Sequence, residues 1–107
     1  MVEITNNTNF QTVMLTYEVP LGAYDQLLEL LTNSYDQFLS LQSGFVGAAI
    51  HANEAKTRIA SYSQWENKES FMAVLRTDRM QKVNRQLGDL SKGFEPVLYD
   101  VTSVFGK

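Results

Sequence analysis

The sequence predicts an α+β domain of the ferredoxin-like type, with the element order β-α-β-β-α-β. Three observations favour it: two-residue periods typical of strands, three- and four-residue periods typical of helices, and a faint twofold repeat of their order. In this fold, two helices cover one face of a four-stranded antiparallel sheet. A chain of 107 residues has room for one domain, which we place at 10–107, after a flexible N-terminal tail at 1–9.

The first strand and the first helix are predicted within residues 10–41. Apolar residues alternate from Phe10 to Val19, which is the period of a half-buried strand. From Ala23 to Leu41 the apolar residues recur at three- and four-residue steps and form one stripe, with Tyr35 among them. Gly44 is expected to end this helix.

A β-hairpin is predicted next. Residues 45–52 are short, apolar and rich in small side chains, and residues 57–65 form a second strand-like run that ends at Trp65. Residues 53–56 are predicted to be the turn that makes the two strands antiparallel.

The C-terminal third contains the second helical region and the last strand. Asn67 is a good N-cap for a helix that carries Phe71. Asp78 can cap its continuation, and the junction at 76–78 is expected to kink or split the helix. Residues 97–105 alternate again and predict the final strand.

The second face of the predicted sheet also needs a cover. Val, Tyr and Phe occur at both parities of several strands, so apolar side chains are expected on both faces. A second copy of the sheet is the simplest cover. A domain of this size also buries only about two thirds of its unfolded surface, so a partner subunit would stabilise it. We therefore expect a homodimer.

Composition excludes several classes of function. The net charge is −3 and the nine basic residues are scattered, which argues against a nucleic-acid or membrane partner. The absence of Cys excludes disulfides and thiolate catalysis, and together with a polar N-terminus it favours a cytoplasmic location. A single His without a ligand spacing predicts no metal site.

The predicted hairpin holds the candidate residues. Ser61, Ser63 and Trp65 share one parity. If the loop has an odd number of residues, for example 53–57, His51 lies opposite Ile59 and shares their face. A loop of four residues would place His51 on the other face.

Each candidate also has a purely structural reading. The small residues at 47–49 leave either unfilled space for a ligand or a tight contact between helix and sheet. Trp65 is more often a core residue, and His51 a satisfied residue at a strand end. Arg85 is most simply a solvated helix residue, although its stem can lie along a pocket mouth.

Two sequence runs resemble the core motifs of a known family. The runs are Gly-Phe-Val-Gly-Ala-Ala-Ile-His at 44–51 and Ser-Tyr-Ser-Gln-Trp-Glu-Asn at 61–67. They resemble the antibiotic biosynthesis monooxygenases, and the likeness extends over residues 13–101. The resemblance implies a dimeric α/β barrel whose members oxidise anthrone-like polyketides to quinones with O₂, without flavin, haem or metal. In the implied mechanism the substrate is deprotonated and passes an electron to O₂.

The resemblance also implies roles for individual residues. Trp65 and His51 match catalytic positions, and Arg85 matches a substrate-binding position. Ser61 stands where the polyketide oxidases have Asn, and Phe71 where they have Tyr, so both are expected to contact the substrate with altered chemistry. A haem-degrading branch resembles the chain less, because residues 68–92 lack the His that would ligate haem.

Two functions remain open from the sequence. The first is a cofactor-independent monooxygenase that oxidises a small aromatic, phenolic or quinol-type compound. The second is a non-catalytic dimeric module that binds a small aromatic molecule, which the Ser and Phe replacements favour. A polyketide cyclase would need the same pocket but no oxygen.

Overall fold

The computed structural model describes residues 10–106. The tail predicted for residues 1–9 lies outside them. The elements, in chain order, are β1 Gln11–Glu18, α1 Tyr24–Gln37, β2 Phe45–Ala52, β3 Arg58–Trp65, α2 Lys68–Leu75, α3 Asp78–Leu90 and β4 Phe94–Tyr99. A short 3₁₀ turn, Leu39–Leu41, follows α1.

The four strands form one antiparallel sheet in the order β2-β3-β1-β4. The helices pack against one face of this sheet, where they contribute to two clusters of buried side chains. This arrangement confirms the ferredoxin-like α+β class. The predicted interruption of the second helical region is confirmed too, since α2 and α3 are separate helices.

Side-chain caps explain where α2 and α3 begin. The Asn67 side chain accepts a hydrogen bond from the backbone N–H of Ser70 at 2.8 Å, as the sequence predicts. The cap of α3 is Thr77, whose hydroxyl accepts from the N–H of Met80 at 3.2 Å. Thr77 has an extended backbone, which separates the two helices, and the expected cap Asp78 is instead the first residue of α3. At that position its negative charge interacts favourably with the helix dipole.

The core lies between the helices and the inner face of the sheet. On β1 the inward residues include Val13 and Tyr17, and on β3 they include Ile59 and Trp65; all four are at most 1% exposed. The alternation predicted for both strands therefore holds. The inner face carries the apolar residues that α1, α2 and α3 bury.

The last strand lies earlier than the sequence predicts. It spans Phe94–Tyr99 rather than 97–105, because β1 offers pairing positions only between Thr12 and Tyr17. The ring of Phe94 lies 4.9 Å from that of Tyr17 on the helix side. The side chain of Val97, one of the alternating residues that predict a strand, lies on the face of the sheet opposite the helices.

The face without helices, the open face, carries large apolar side chains. Met14, opposite Val97, is 41% exposed, and Tyr99, opposite Thr12, is 47% exposed. Tyr62 lies between them and the edge strand and is half-buried. This is the apolar second face that the sequence predicts. Within residues 10–106, no helix is both long and apolar enough to span a membrane.

Candidate functional site

An enclosed cavity, the inner cavity, lies between the helices and the sheet. Its volume is about 40 Å³, enough for a few water molecules and less than the roughly 150 Å³ that holds a benzene ring. Among the described residues, its lining includes no charged side chain. The lining residues are Leu15, Tyr17, Leu31, Tyr35, Leu39, Trp65, Phe71, Leu75, Met80, Asn84, Phe94 and Pro96.

Trp65 lies at the end of β3 and forms one wall of the inner cavity. The side chain is 1% exposed. Its ring meets that of Phe45 edge-on at 5.3 Å between centroids and lies 5.6 Å from that of Phe71. The indole N–H donates to the hydroxyl oxygen of Ser63 at 3.0 Å. These contacts fix the indole plane against the cavity.

Tyr35 reaches the same cavity from α1. Its hydroxyl lies 2.5 Å from the hydroxyl oxygen of Ser61, which is 1% exposed. Burial raises the pKa of the Tyr35 phenol above its ordinary value, and hydrogen bonds from Ser61 and Ser63 oppose part of that rise. The phenol is therefore neutral at physiological pH and can donate a hydrogen bond.

The directions of these hydrogen bonds follow from the donors. An indole N–H can only donate, so the Ser63 oxygen accepts from Trp65 and keeps its own proton for another partner. The Ser63 hydroxyl can therefore donate to the oxygen of Tyr35, and in the pair of Tyr35 and Ser61 either hydroxyl can be the donor.

Three of the five predicted site residues come together. Trp65 and Phe71 line the inner cavity, and Ser61 lies behind it, bonded to Tyr35. The parity shared by Ser61, Ser63 and Trp65 places all three hydroxyl and indole groups on the helix side, where each is about 1% exposed. Sequence periodicity is sufficient to predict this grouping.

His51 lies elsewhere. It pairs with Ala60, not Ile59, and its side chain is exposed on the open face. Of the two loop lengths that the sequence leaves open, the four-residue loop is formed: Asn53 pairs with Arg58, and residues 54–57 remain between them. The Asn53 carboxamide accepts from the N–H groups of Thr57 and Arg58, both at 2.9 Å, which stabilises this turn.

Arg85 is exposed on α3 and does not line the cavity. The preceding residue, Asn84, does line it. Successive helical residues are rotated by about 100°, so the two side chains point in different directions. The polar contribution of α3 to the cavity is therefore an amide and not a guanidinium.

Sequence reasoning missed Tyr35 and Asn84 as site residues. Tyr35 is part of the apolar stripe of α1, and a buried tyrosine hydroxyl needs a hydrogen-bond partner. Asn84 is a polar residue beside the apolar stripe of α3. Each was a detectable signal, because a polar group next to a core face marks either a buried hydrogen bond or a cavity.

A second space, the outer groove, lies between α1 and β2. Its volume is about 430 Å³ and it opens to solvent. Of the two readings for the small residues at 47–49, unfilled space is the one that the structure shows here. The lining residues are Thr32, Tyr35, Asp36, Ser40, Phe45, Val46, Gly47, Ala48 and Ile50.

No group of three or more His, Cys, Asp or Glu side chains that could hold a metal ion occurs in the described range, 10–106. The polar groups at the inner cavity are phenols, an indole and an amide. These groups can bind neutral oxygen-containing ligands and stabilise a developing negative charge by hydrogen bonds.

Solved structures of other proteins share this fold. SnoaB from Streptomyces nogalater, a cofactor-independent oxygenase, superposes with a TM-score of 0.82 at 17% identity, covering 92% of this chain and 99% of that one. A protein from Nitrosomonas europaea assigned to the antibiotic biosynthesis monooxygenases superposes with a TM-score of 0.78 at 14% identity, covering 94% and 97%. A search of proteins with curated functions gave no match.

The sequence profile of one family matches most of the chain. The profile is that of the antibiotic biosynthesis monooxygenases, and it matches residues 10–86. This range includes β1 to β3 with Ser61, Ser63 and Trp65, and most of α3. The chain therefore belongs to the antibiotic biosynthesis monooxygenase family.

Proposed function

We propose that this protein is a cofactor-independent monooxygenase that oxidises a small aromatic, phenolic or quinol-type compound with O₂. The observation that carries the proposal is the uncharged cavity lined by Trp65 and Phe71, with Tyr35 also in its lining and its hydroxyl bonded to Ser61. Membership of the family supports the reaction class.

The reaction has a simple balance for a substrate with an activated CH₂ group, such as an anthrone. The substrate loses a proton, and its carbanion transfers one electron to O₂, which gives a substrate radical and superoxide. These combine to a peroxide anion, which takes up the proton lost in the first step to give a hydroperoxide, and loss of water leaves a C=O group. One oxygen atom of O₂ enters the product and the other leaves as water. The substrate supplies all the electrons.

The protein side chains have three tasks in this scheme. Trp65 and Phe71 form the apolar wall against which the aromatic ring packs, and they exclude water. Tyr35 donates a hydrogen bond to the oxygen on which the negative charge develops, and in the protein without ligand its partner is Ser61. Because the described lining has no carboxylate or imidazole, we expect substrates that lose a proton readily.

The resemblance implies a catalytic role for His51 and a substrate-binding role for Arg85. In our proposal the inner cavity of the same chain works without either side chain. Both are exposed, and neither lines the cavity. In our proposal the reaction proceeds on the helix side of the sheet without either side chain. Substitution of His51 tests this assignment directly, because the sheet lies between its side chain and that of Trp65.

We further propose that a second copy of the chain covers the open face. The support is the row of partly exposed apolar side chains there, with Met14 at 41% and Tyr99 at 47% exposed. Sedimentation velocity at micromolar concentration tests this. A dimer is expected, and Met14→Asp is expected to shift it to a monomer, since burying an unpaired carboxylate is unfavourable.

Oxygen uptake tests the enzymatic proposal. The protein, freed of metal and flavin by dialysis against chelator, is mixed with anthrones, naphthols and hydroquinones in an oxygen electrode cell. Uptake above the uncatalysed rate with at least one compound is expected, and Trp65→Phe is expected to lower it. Uptake at background with every compound would contradict the proposal.

The second candidate function is a binding module without turnover. Its specific support is Phe71, which has no proton to give or take at a position where related oxidases carry Tyr. This function predicts that the same aromatic compounds raise the melting temperature without oxygen uptake. The two assays together separate the candidates, and product formation under anaerobic conditions would instead indicate a cyclase.

A further inference from the structure

Tyr35 lines both the inner cavity and the outer groove. It is the one residue that the two linings share in the described part of the chain. Its ring lies 6.3 Å from that of Phe45, which lines the outer groove and also contacts Trp65. The Tyr35 side chain is therefore the partition between the two spaces.

The sizes of the two spaces make this partition important. Pockets for small organic ligands span about 300–1,000 Å³. The inner cavity, at about 40 Å³, cannot hold a ring, whereas the outer groove, at about 430 Å³, can. Only the inner cavity contacts the indole of Trp65. A ring that enters the inner cavity from the groove must therefore displace Tyr35, the residue that the two linings share, while Phe45 stands beside it.

We propose that the ligand site is bipartite: it runs from the outer groove past Tyr35 to Trp65, and the hydrogen bond between Tyr35 and Ser61 keeps it closed. This inference deepens the proposed function and rests on it for the identity of the ligand as substrate. The hydrogen bond joins α1 to β3 at 2.5 Å, so its loss frees the ring to rotate towards the groove. Rotation merges the two spaces into one pocket.

The two ends of this site differ in chemistry, which defines the ligand class. The inner end is apolar and aromatic, with Trp65 and Phe71. The outer end is flanked by the side chains of Thr32, Asp36 and Ser40. A carboxylate and two hydroxyls favour hydrogen-bond donors and disfavour anions. The ligand is therefore an uncharged aromatic compound that presents hydrogen-bond donors at its outer end.

Fluorescence of Trp65 gives a test that needs no turnover, because it is the single Trp of the chain. Acrylamide, a small neutral quencher, reports how often the inner cavity opens. We expect Tyr35→Phe to raise the quenching constant about fivefold, the factor that one hydrogen bond of ordinary strength represents. Tyr35→Ala, which removes the partition, is expected to raise it further.

The matched control is Tyr24→Ala, which removes a tyrosine ring from the same helix at a position that lines neither space. Its quenching constant is expected to equal that of the wild type. Quenching that is unchanged in both Tyr35 variants, or raised equally in the control, would overturn the proposal. Tyr35→Phe keeps the ring, so the test stands even if Tyr35→Ala does not fold.

A groove-filling variant tests the outer half of the site. Ala48→Leu adds a side chain in the groove, away from the inner cavity lining. Binding of 1-naphthol is measured by the quenching of Trp65 fluorescence. The variant is expected to weaken this binding about tenfold, because the added side chain occupies the ligand path. Unchanged affinity would overturn the bipartite site. Since neither assay measures oxidation, an inactive protein that passes both would refute only the proposed function.

Discussion

The hydrogen bond between Tyr35 and Ser61 offers a quantitative test of the site geometry through stability. Tyr35→Phe removes one hydroxyl and leaves the other, on a serine that is 1% exposed, without this partner. An unsatisfied buried hydroxyl destabilises a protein by about 1–3 kcal/mol. We expect the free energy of unfolding to fall by about 2 kcal/mol in this variant.

Ser61→Ala removes the other partner of the bond. It leaves the hydroxyl of Tyr35 at the inner cavity, where a water molecule can replace the serine. Its expected cost is therefore smaller, about 1 kcal/mol. The double variant removes both hydroxyls of this bond, so Ser61 leaves no unpaired group and the loss is expected to be about 2 kcal/mol, less than the sum of the two single losses. The coupling energy is then about 1 kcal/mol.

Urea unfolding at pH 7, followed by Trp65 fluorescence and by circular dichroism, measures all four proteins. Equal denaturant slopes would show that the stability itself changed. In a domain of this size, 1 kcal/mol corresponds to about 4–8 °C in melting temperature, so each step is measurable. Additive losses, with a coupling below about 0.3 kcal/mol, would refute the bond as a determinant of this site.

Three further predictions concern the backbone, pH and turnover. Gly44→Ala should lower the free energy of unfolding by about 1–3 kcal/mol, because Gly44 has φ +88° and an added Cβ would clash with the first turn of α2. The control Gly22→Ala, at φ +86° with open space around it, should lower the free energy of unfolding by only about 1 kcal/mol. Burial raises the pKa of Tyr17 well above 10, so above pH 10 the unfolded chain binds fewer protons than the folded one. The free energy of unfolding therefore falls as pH rises in this range. Tyr17→Phe should make this fall less steep by about 1.4 kcal/mol per pH unit. Trp65→Phe should lower turnover about tenfold or more, since small displacements of a bound ring are costly, while His51→Ala should leave it unchanged.

Each of these has a clear contrary result. Equal losses for Gly44→Ala and Gly22→Ala in urea unfolding would remove the steric argument. An unchanged slope of stability against pH between 10 and 12 for Tyr17→Phe would show that its phenol does not keep its proton. Turnover that depends on His51 and not on Trp65, in oxygen-electrode assays, would place the chemistry on the open face.

The element order was predictable because apolar periodicity differs sharply between strands and helices. The alternation in β1 and the stripe of α1 each bury one face, so pattern and structure agree. The last strand was less predictable, since apolar residues occur at both parities from Phe94 to Phe105. Its position is decided by pairing with β1, a long-range contact that no local pattern encodes.

The site was only partly predictable for a similar reason. The grouping of Ser61, Ser63 and Trp65 follows from parity within one strand. The face of His51 depends on the number of residues in a turn, and a shift of one residue moves the side chain across the sheet. Tyr35 lies in an apolar stripe, and such a stripe does not distinguish a packed contact from a cavity wall.

The fate of the oxygen atoms tests the central claim most directly. An anthrone is converted by the metal-free and flavin-free protein under ¹⁸O₂, and the quinone is analysed by mass spectrometry. The reaction at Trp65 predicts one labelled oxygen atom in each quinone formed, with the second atom recovered in water. A quinone without label would contradict a monooxygenase, and no quinone above the uncatalysed amount would leave a domain that binds aromatic compounds without oxidising them.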